Sequence, residues 1–237
     1  MKRFVVAFAG AVVLFSMAAS AMAFSGGAGI SADEALARLK EGNTRYVAGA
    51  AVTPRQDAAR RHETATGGQH PFVTVLSCAD SRVPVETLFD QGIGDVFVVR
   101  VAGNVANTDE VGTMEYGAEH LGTPLVLVLA HTKCGAVTAV VKGEHVTENI
   151  GKLVAPIVPA VASVKTRFAS ADLNELISRS IEANMWQAIA DMYAKSPLLK
   201  KMAADGKIKV VGALYDIDSG DVHWFGEHPS NANLIGK

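Results

Sequence analysis

Residues 72–82 read Phe72-Val73-Thr74-Val75-Leu76-Ser77-Cys78-Ala79-Asp80-Ser81-Arg82. The first five are apolar or β-branched and follow Pro71, the pattern of a strand buried on both sides. The last five carry a thiol, a carboxylate and a guanidinium, so the strand delivers reactive groups at its carboxyl end. Open α/β sheets place their chemistry at that end. A second apolar run, residues 124–130, closes in the same way on His131-Thr132-Lys133-Cys134, which holds the only other cysteine of the chain.

Working outward, the same alternation continues. Residues 83–86 start a short helix, with Pro84 where a first turn tolerates it. Gly92-Ile93-Gly94-Asp95 turns into a second strand over residues 96–101, closed by Gly103-Asn104. Thr108-Asp109-Glu110 caps a helix carrying Met114, Tyr116, Ala118 and Leu121. Beyond Cys134 come a small-residue helix ending at Gly143 and a helix over residues 150–168 that Pro156 and Pro159 should break. A long amphipathic helix spans 172–195, and Pro197 opens a short one. Strands follow over 208–215 and 222–225. Strands alternating with helices predict an α/β fold, a mostly parallel central sheet with helices on both faces.

The amino-terminal third is different. Met1-Lys2-Arg3, an apolar run over residues 4–17 and Ala21-Met22-Ala23 make a secretory signal peptide with cleavage after Ala23. The run is short for a bilayer span. Residues 24–237 then form a single domain, of which 24–66 are a flexible lead and an N-terminal helical arm. Ser31 and Glu34 are spaced as a capping box for the first helix of that arm. Residues 54–66 have little apolar face and read as a surface or partner-contacting element. Export, most simply to the periplasm, is the predicted location.

Loss of Lys2 and Arg3 from 22 basic residues leaves 20 against 24 acidic ones, a net charge of about −4. No basic block points to nucleic acid, and no second apolar segment points to membrane insertion after cleavage. A small molecule is the expected partner.

Cys78, His131 and Cys134, with Asp80, offer two sulfurs, one imidazole nitrogen and one carboxylate oxygen, a zinc donor set. The ligands stand at two strand ends about 50 positions apart, so the fold must assemble the site. A disulfide between the cysteines is the competing reading for an exported chain, but it would not need the other donors beside them. Asp80 could close the metal as fourth ligand or stand beside it. Arg82, two residues on, could hold the carboxylate off the metal in a bidentate pair and leave that position open.

Four segments, residues 77–82, 99–104, 115–116 and 131–136, resemble the signature segments of the β-class carbonic anhydrases in order and spacing, in the plant-like active-site branch. The likeness runs from near Ser31 to Tyr215. It implies reversible hydration of carbon dioxide to bicarbonate and a proton, by attack of zinc-bound hydroxide. One Zn2+ per chain would be held by Cys78, His131 and Cys134, with Asp80 and Arg82 as the catalytic dyad. It also implies a homodimer or higher homo-oligomer, with the amino-terminal helices wrapping the partner and the site at the subunit boundary. Gln69, Phe97, Tyr116 and Gly135 match positions that line the substrate pocket, although Phe97 and Tyr116 read equally well as packing residues. Arg100 and Tyr215 match two members of an inhibitory bicarbonate site found in another branch. Val75 stands where that site has tryptophan, which counts against it. His62, His120, His145, His223 and His228 are candidate proton shuttles, and nothing selects one.

Three other functions compete. The same metal could hydrolyse carbon disulfide or carbonyl sulfide, as relatives of the family do. A non-catalytic zinc protein would have four protein ligands and no turnover, and the intact Asp80–Arg82 pair argues against it. A redox pair would be expected as Cys-x-x-Cys, which is absent.

Overall fold

The computed structural model describes residues 29–237. The leader and its cleavage site lie outside the described residues. In chain order the elements are α1 (Ala32–Val47), α2 (Ala58–Gly67), β1 (Val73–Ser77), α3 (Val85–Leu88), β2 (Val96–Arg100) and α4 (Thr108–Glu115). There follow β3 (Leu125–His131), α5 (Gly135–Lys142), α6 (Glu148–Val154), α7 (Val158–Arg167), α8 (Leu173–Lys195), α9 (Pro197–Ala204), β4 (Lys209–Tyr215), β5 (Val222–Gly226) and α10 (Asn231–Ile235).

The strands form one sheet in the order β2-β1-β3-β4-β5, parallel throughout except that β5 runs antiparallel to β4. From β1 the chain adds β2 on one side and then crosses to add β3 on the other. The carboxyl ends of β1 and β3 therefore diverge into the crevice where such sheets bind ligands. Ser77 pairs with Leu129 in register, so Cys78 and His131 emerge side by side.

Helices cover both faces, as the alternation predicts. In β3 every residue is buried, and the side chains split by parity. Val126, Val128 and Ala130 pack with the α4, α5, α7 and α8 face, whereas Leu125, Leu127 and Leu129 pack with Leu39 of α1 and Leu88 at the end of α3. The prolines act as read: Ala155–Ile157 is a single 3-10 turn between α6 and α7, and Pro159 lies in the first turn of α7.

The predicted helix through Tyr116 and Leu121 is corrected. It is α-helical only to Glu115 and widens into a π-turn over Tyr116–His120. Here Gly117 lies against β1. A Cβ on it would fall 2.2 Å from Thr74 Oγ1 and 2.9 Å from Phe97 Cδ1, so the approach needs a residue without a side chain. The short α10 was not foreseen, because five residues carry too little periodicity to read.

The arm is fastened by polar contacts. At the start of α1, Glu34 N–H donates to Ser31 Oγ (3.2 Å) and Ser31 N–H to Glu34 Oε2 (2.7 Å). Buried Asn43 donates from Nδ2 to the carbonyls of Leu88 (3.2 Å) and Gly220 (2.9 Å), and accepts from Val222 N–H at 3.0 Å. Asn43→Ala strands those buried groups. Urea unfolding should show a loss of about 2–3 kcal/mol. By contrast α2 buries no residue and is held by Arg60, whose Nε donates to the Ile93 carbonyl at 2.8 Å.

Candidate metal centre

The crevice between β1 and β3 brings the three predicted ligands together. One donor atom each from Cys78, His131 and Cys134 lie within 4.8 Å of one another, and all three residues are buried. Cys78 follows β1, His131 ends β3, and Cys134 is the N-cap of α5. A helix amino terminus favours a thiolate over a thiol. Both cysteines are free, so the disulfide reading is not realised.

Backbone groups prepare each ligand. His131 Nδ1 lies 2.9 Å from the Thr132 carbonyl, which can only accept, so that nitrogen carries the proton and Nε2 presents its lone pair. Nε2 is buried with no hydrogen-bond partner. An orphaned imidazole nitrogen beside two buried sulfurs fits zinc, for it leaves a donor that only a cation satisfies. Gly103 N–H points at Cys78 Sγ from 3.2 Å, which favours the thiolate. The Cys78 thiol is pulled down, first by its hydrogen bond with Cys134 and then by His131 and Gly103, against the upward push of burial. Cys134 is pushed up by the same neighbour and by burial.

Asp80 stands beside this cluster. Arg82 donates to both of its oxygens, Nε to Oδ1 at 2.9 Å and Nη2 to Oδ2 at 2.7 Å, and Arg82 N–H adds a third bond to Oδ1 at 2.9 Å. The guanidinium holds the carboxyl well below the usual carboxylate range, outweighing its partial burial. Asp80 Oδ2 remains 3.9 Å from His131 Nε2, adjacent to the donor cluster yet committed to Arg82. Arg82 is itself positioned by the Lys133 carbonyl, 3.2 Å from Nη2.

Other supports were not read from the sequence. Arg100 Nε donates to the Cys78 carbonyl (3.1 Å) and Nη2 to the Asp80 carbonyl (2.7 Å), bracing the loop that carries both. These bonds engage Arg100 in the loop. Asn184 of α8 donates to the Gly103 carbonyl at 2.8 Å. The signal available was Gly103-Asn104 itself: both take positive φ, 76° and 44°. At Gly103 a Cβ would also fall 2.7 Å from Ile157 Cδ1 and 3.2 Å from Ala136 Cβ. Gly103→Ala should cost about 3 kcal/mol and, by displacing the N–H at Cys78, weaken zinc roughly 10-fold or more. A thermal melt and a chelator competition check both effects.

Of the pocket residues, only Gly135 adjoins the cluster, next to Cys134 and exposed at the start of α5. Gln69 is exposed before β1, at the opposite end of the strand from Cys78. Phe97 pairs with Thr74 in the middle of the edge strand. It contacts Tyr116 with ring centroids 6.0 Å apart, and Tyr116 contacts His120 at 5.3 Å. The chain thus gathers an aromatic group beside its sheet edge and does not bring it to its own metal cluster.

This arrangement has counterparts. The carbonic anhydrase family profile matches residues 73–222. Carbonic anhydrase 2 of Mycobacterium tuberculosis is 36% identical over 182 residues, 77% of this chain and 87% of that protein. The carbonic anhydrase of Mycolicibacterium smegmatis is 34% identical over 188 residues, 78% of this chain and 88% of its own. Among solved structures, the β-carbonic anhydrase CafA of Aspergillus fumigatus superposes with a TM-score of 0.67 at 26% identity, covering 86% of this chain and 94% of that one. The matched span contains the crevice, its three ligands and the strands that carry them, and the chain belongs to the β-carbonic anhydrase family.

Proposed function

We propose that this is an exported carbonic anhydrase of the plant-like branch, working as a homodimer or larger homo-oligomer with Asp80 and Arg82 as its catalytic dyad. The chain is a zinc enzyme for the reversible hydration of carbon dioxide to bicarbonate and a proton, with one Zn2+ held by Cys78, His131 and Cys134. Zinc there supplies the Lewis acidity that makes a nucleophile of water near neutral pH. The rest falls to the chain's own groups. Asp80, fixed by Arg82, accepts a hydrogen bond from the attacking water and turns its lone pair towards the carbon. Held that way, the carboxylate would be kept from serving as a further ligand to zinc. Arg82 keeps Asp80 ionised, so the acceptor is available across the neutral range.

The observation that carries this reading is the buried, unpartnered Nε2 of His131 between two thiols, beside a carboxylate fastened to an arginine. Assembly is supported by the separation of Gln69, Phe97 and Tyr116 from their own cluster. In a paired enzyme those residues serve the neighbour's site across the subunit boundary, and the arm with its unburied α2 has a partner to wrap. Among the described residues no helix is long and apolar enough to cross a membrane. The leader pattern of residues 1–23 supports export, and an intact mass beginning at Phe24 tests it.

The deciding experiment is stopped-flow carbon dioxide hydration on zinc-loaded protein, with metal content and solution mass measured in parallel. Rapid turnover at about one zinc per chain, in a species of at least two chains, is expected. Stoichiometric zinc without hydration from neutral to alkaline pH would remove carbon dioxide as the substrate and turn attention to its sulfur analogues.

A further inference from the structure

On the far side of the loop that follows β3 lies a groove of about 620 Å³, between α5 and α8. It is the size of a small-molecule site, and the chemistry described above makes no use of it. One wall is apolar: Leu173, Ile177 and Ile181 from α8, with Leu214 from β4. Lys133 and Lys142 contribute the charge, and no Asp or Glu lines the groove. The nearby acids are engaged elsewhere. Asp172 caps α8 through Glu175 N–H, Glu175 pairs with Arg179, and Glu144 alone reaches Lys142, at 3.6 Å across exposed side chains. For Lys133 no ion-pair partner occurs among the described residues.

Lys133 has two further peculiarities. Its φ is +57°, a backbone conformation that a lysine adopts at a cost. Its carbonyl is the one that receives Arg82 Nη2, just as the neighbouring Thr132 carbonyl pairs with His131 Nδ1. The groove and the metal centre therefore share one loop, each using a different side of it.

We infer that this groove is a binding site for a monoanionic amphiphile, a carboxylate with a hydrocarbon body. Its head group meets Lys133 and Lys142, and its body lies on Leu173, Ile177, Ile181 and Leu214. Glu144 already pairs with Lys142, so Lys133 leaves one ammonium uncompensated beside the apolar wall: a single carboxylate answers it, a dianion would carry an excess charge against hydrocarbon, and a neutral ligand would leave it unmatched.

Octanoate is the probe and acetate its control, since both can approach the metal as carboxylates while only octanoate has a chain to bury. Calorimetric titration of the zinc-loaded full assembly should give octanoate an affinity about tenfold or more above acetate. That advantage should vanish in Ser178→Trp, which fills the groove, and shrink in Lys142→Glu, which reverses a head-group charge at an exposed position. Melting temperature and zinc content report that each variant is folded. Equal affinity for the two anions overturns the inference, as does an octanoate advantage that survives both substitutions. A drop in solution mass for Ser178→Trp would also overturn it, since the groove would then be covered by a second copy of the chain.

Discussion

Cys134→Ser is expected to empty the metal centre and take carbon dioxide hydration with it. Structural zinc sites bind with about 10–16 kcal/mol, so each ligand of a set carries about 3 kcal/mol or more, roughly a hundredfold in affinity. The hydroxyl of serine is a poorer zinc donor than a thiolate and gives up its proton far less readily than a thiol. Zinc per chain should fall far below one after dialysis against a mild chelator, and turnover should fall in proportion. The protein should remain folded, because Cys134 packs within a core built from β1, β3 and α8 that does not depend on it. A variant that held one zinc and kept its turnover would remove Cys134 from the ligand set.

Arg82→Ala has the second largest expected effect, through a different route. Its guanidinium makes both side-chain bonds to the Asp80 oxygens, which on the proposed mechanism hold them off the metal. Without it the carboxylate, already 3.9 Å from His131 Nε2, is free to move onto the cation. Hydration should drop roughly 10²- to 10³-fold, the scale for losing one preorganised electrostatic group, while zinc content stays at wild-type level. The two variants are thus separated by metal analysis alone. X-ray absorption at the zinc edge should show an added oxygen from a carboxylate in Arg82→Ala. Unchanged coordination with unchanged turnover would deny Asp80 and Arg82 their role.

These consequences were largely legible before the fold was known. Residues 72–82 and 124–134 each announce a buried strand followed by donors, and the ligand chemistry is local to those strings. What they could not show is what holds the donors still. The Gly103 N–H reaches Cys78 from 25 positions away, and Asn184 reaches Gly103 from 81. Neither contact has a sequence spacing that marks it. In the sequence Arg100 stands out only by the family resemblance, whereas its bonds to the Cys78 and Asp80 carbonyls arise from β2 lying beside β1. The π-turn was invisible for a similar reason. It sets Gly117 against Thr74, which belongs to another element. The roles of Gln69, Phe97 and Tyr116 are the least readable, since a single chain does not contain the surface on which they would act.

The crossing of the chain from β2 back over β1 to β3 also fixes a timetable. His131 and Cys134, three residues apart, offer a cation two donors early in folding. The third, Cys78, arrives only when β1 and β3 have paired across an intervening strand and two helices, a slow, non-local event. Full-strength metal capture is therefore expected only after β1 and β3 have paired. The enzyme becomes active only where folded chain and free zinc are present together.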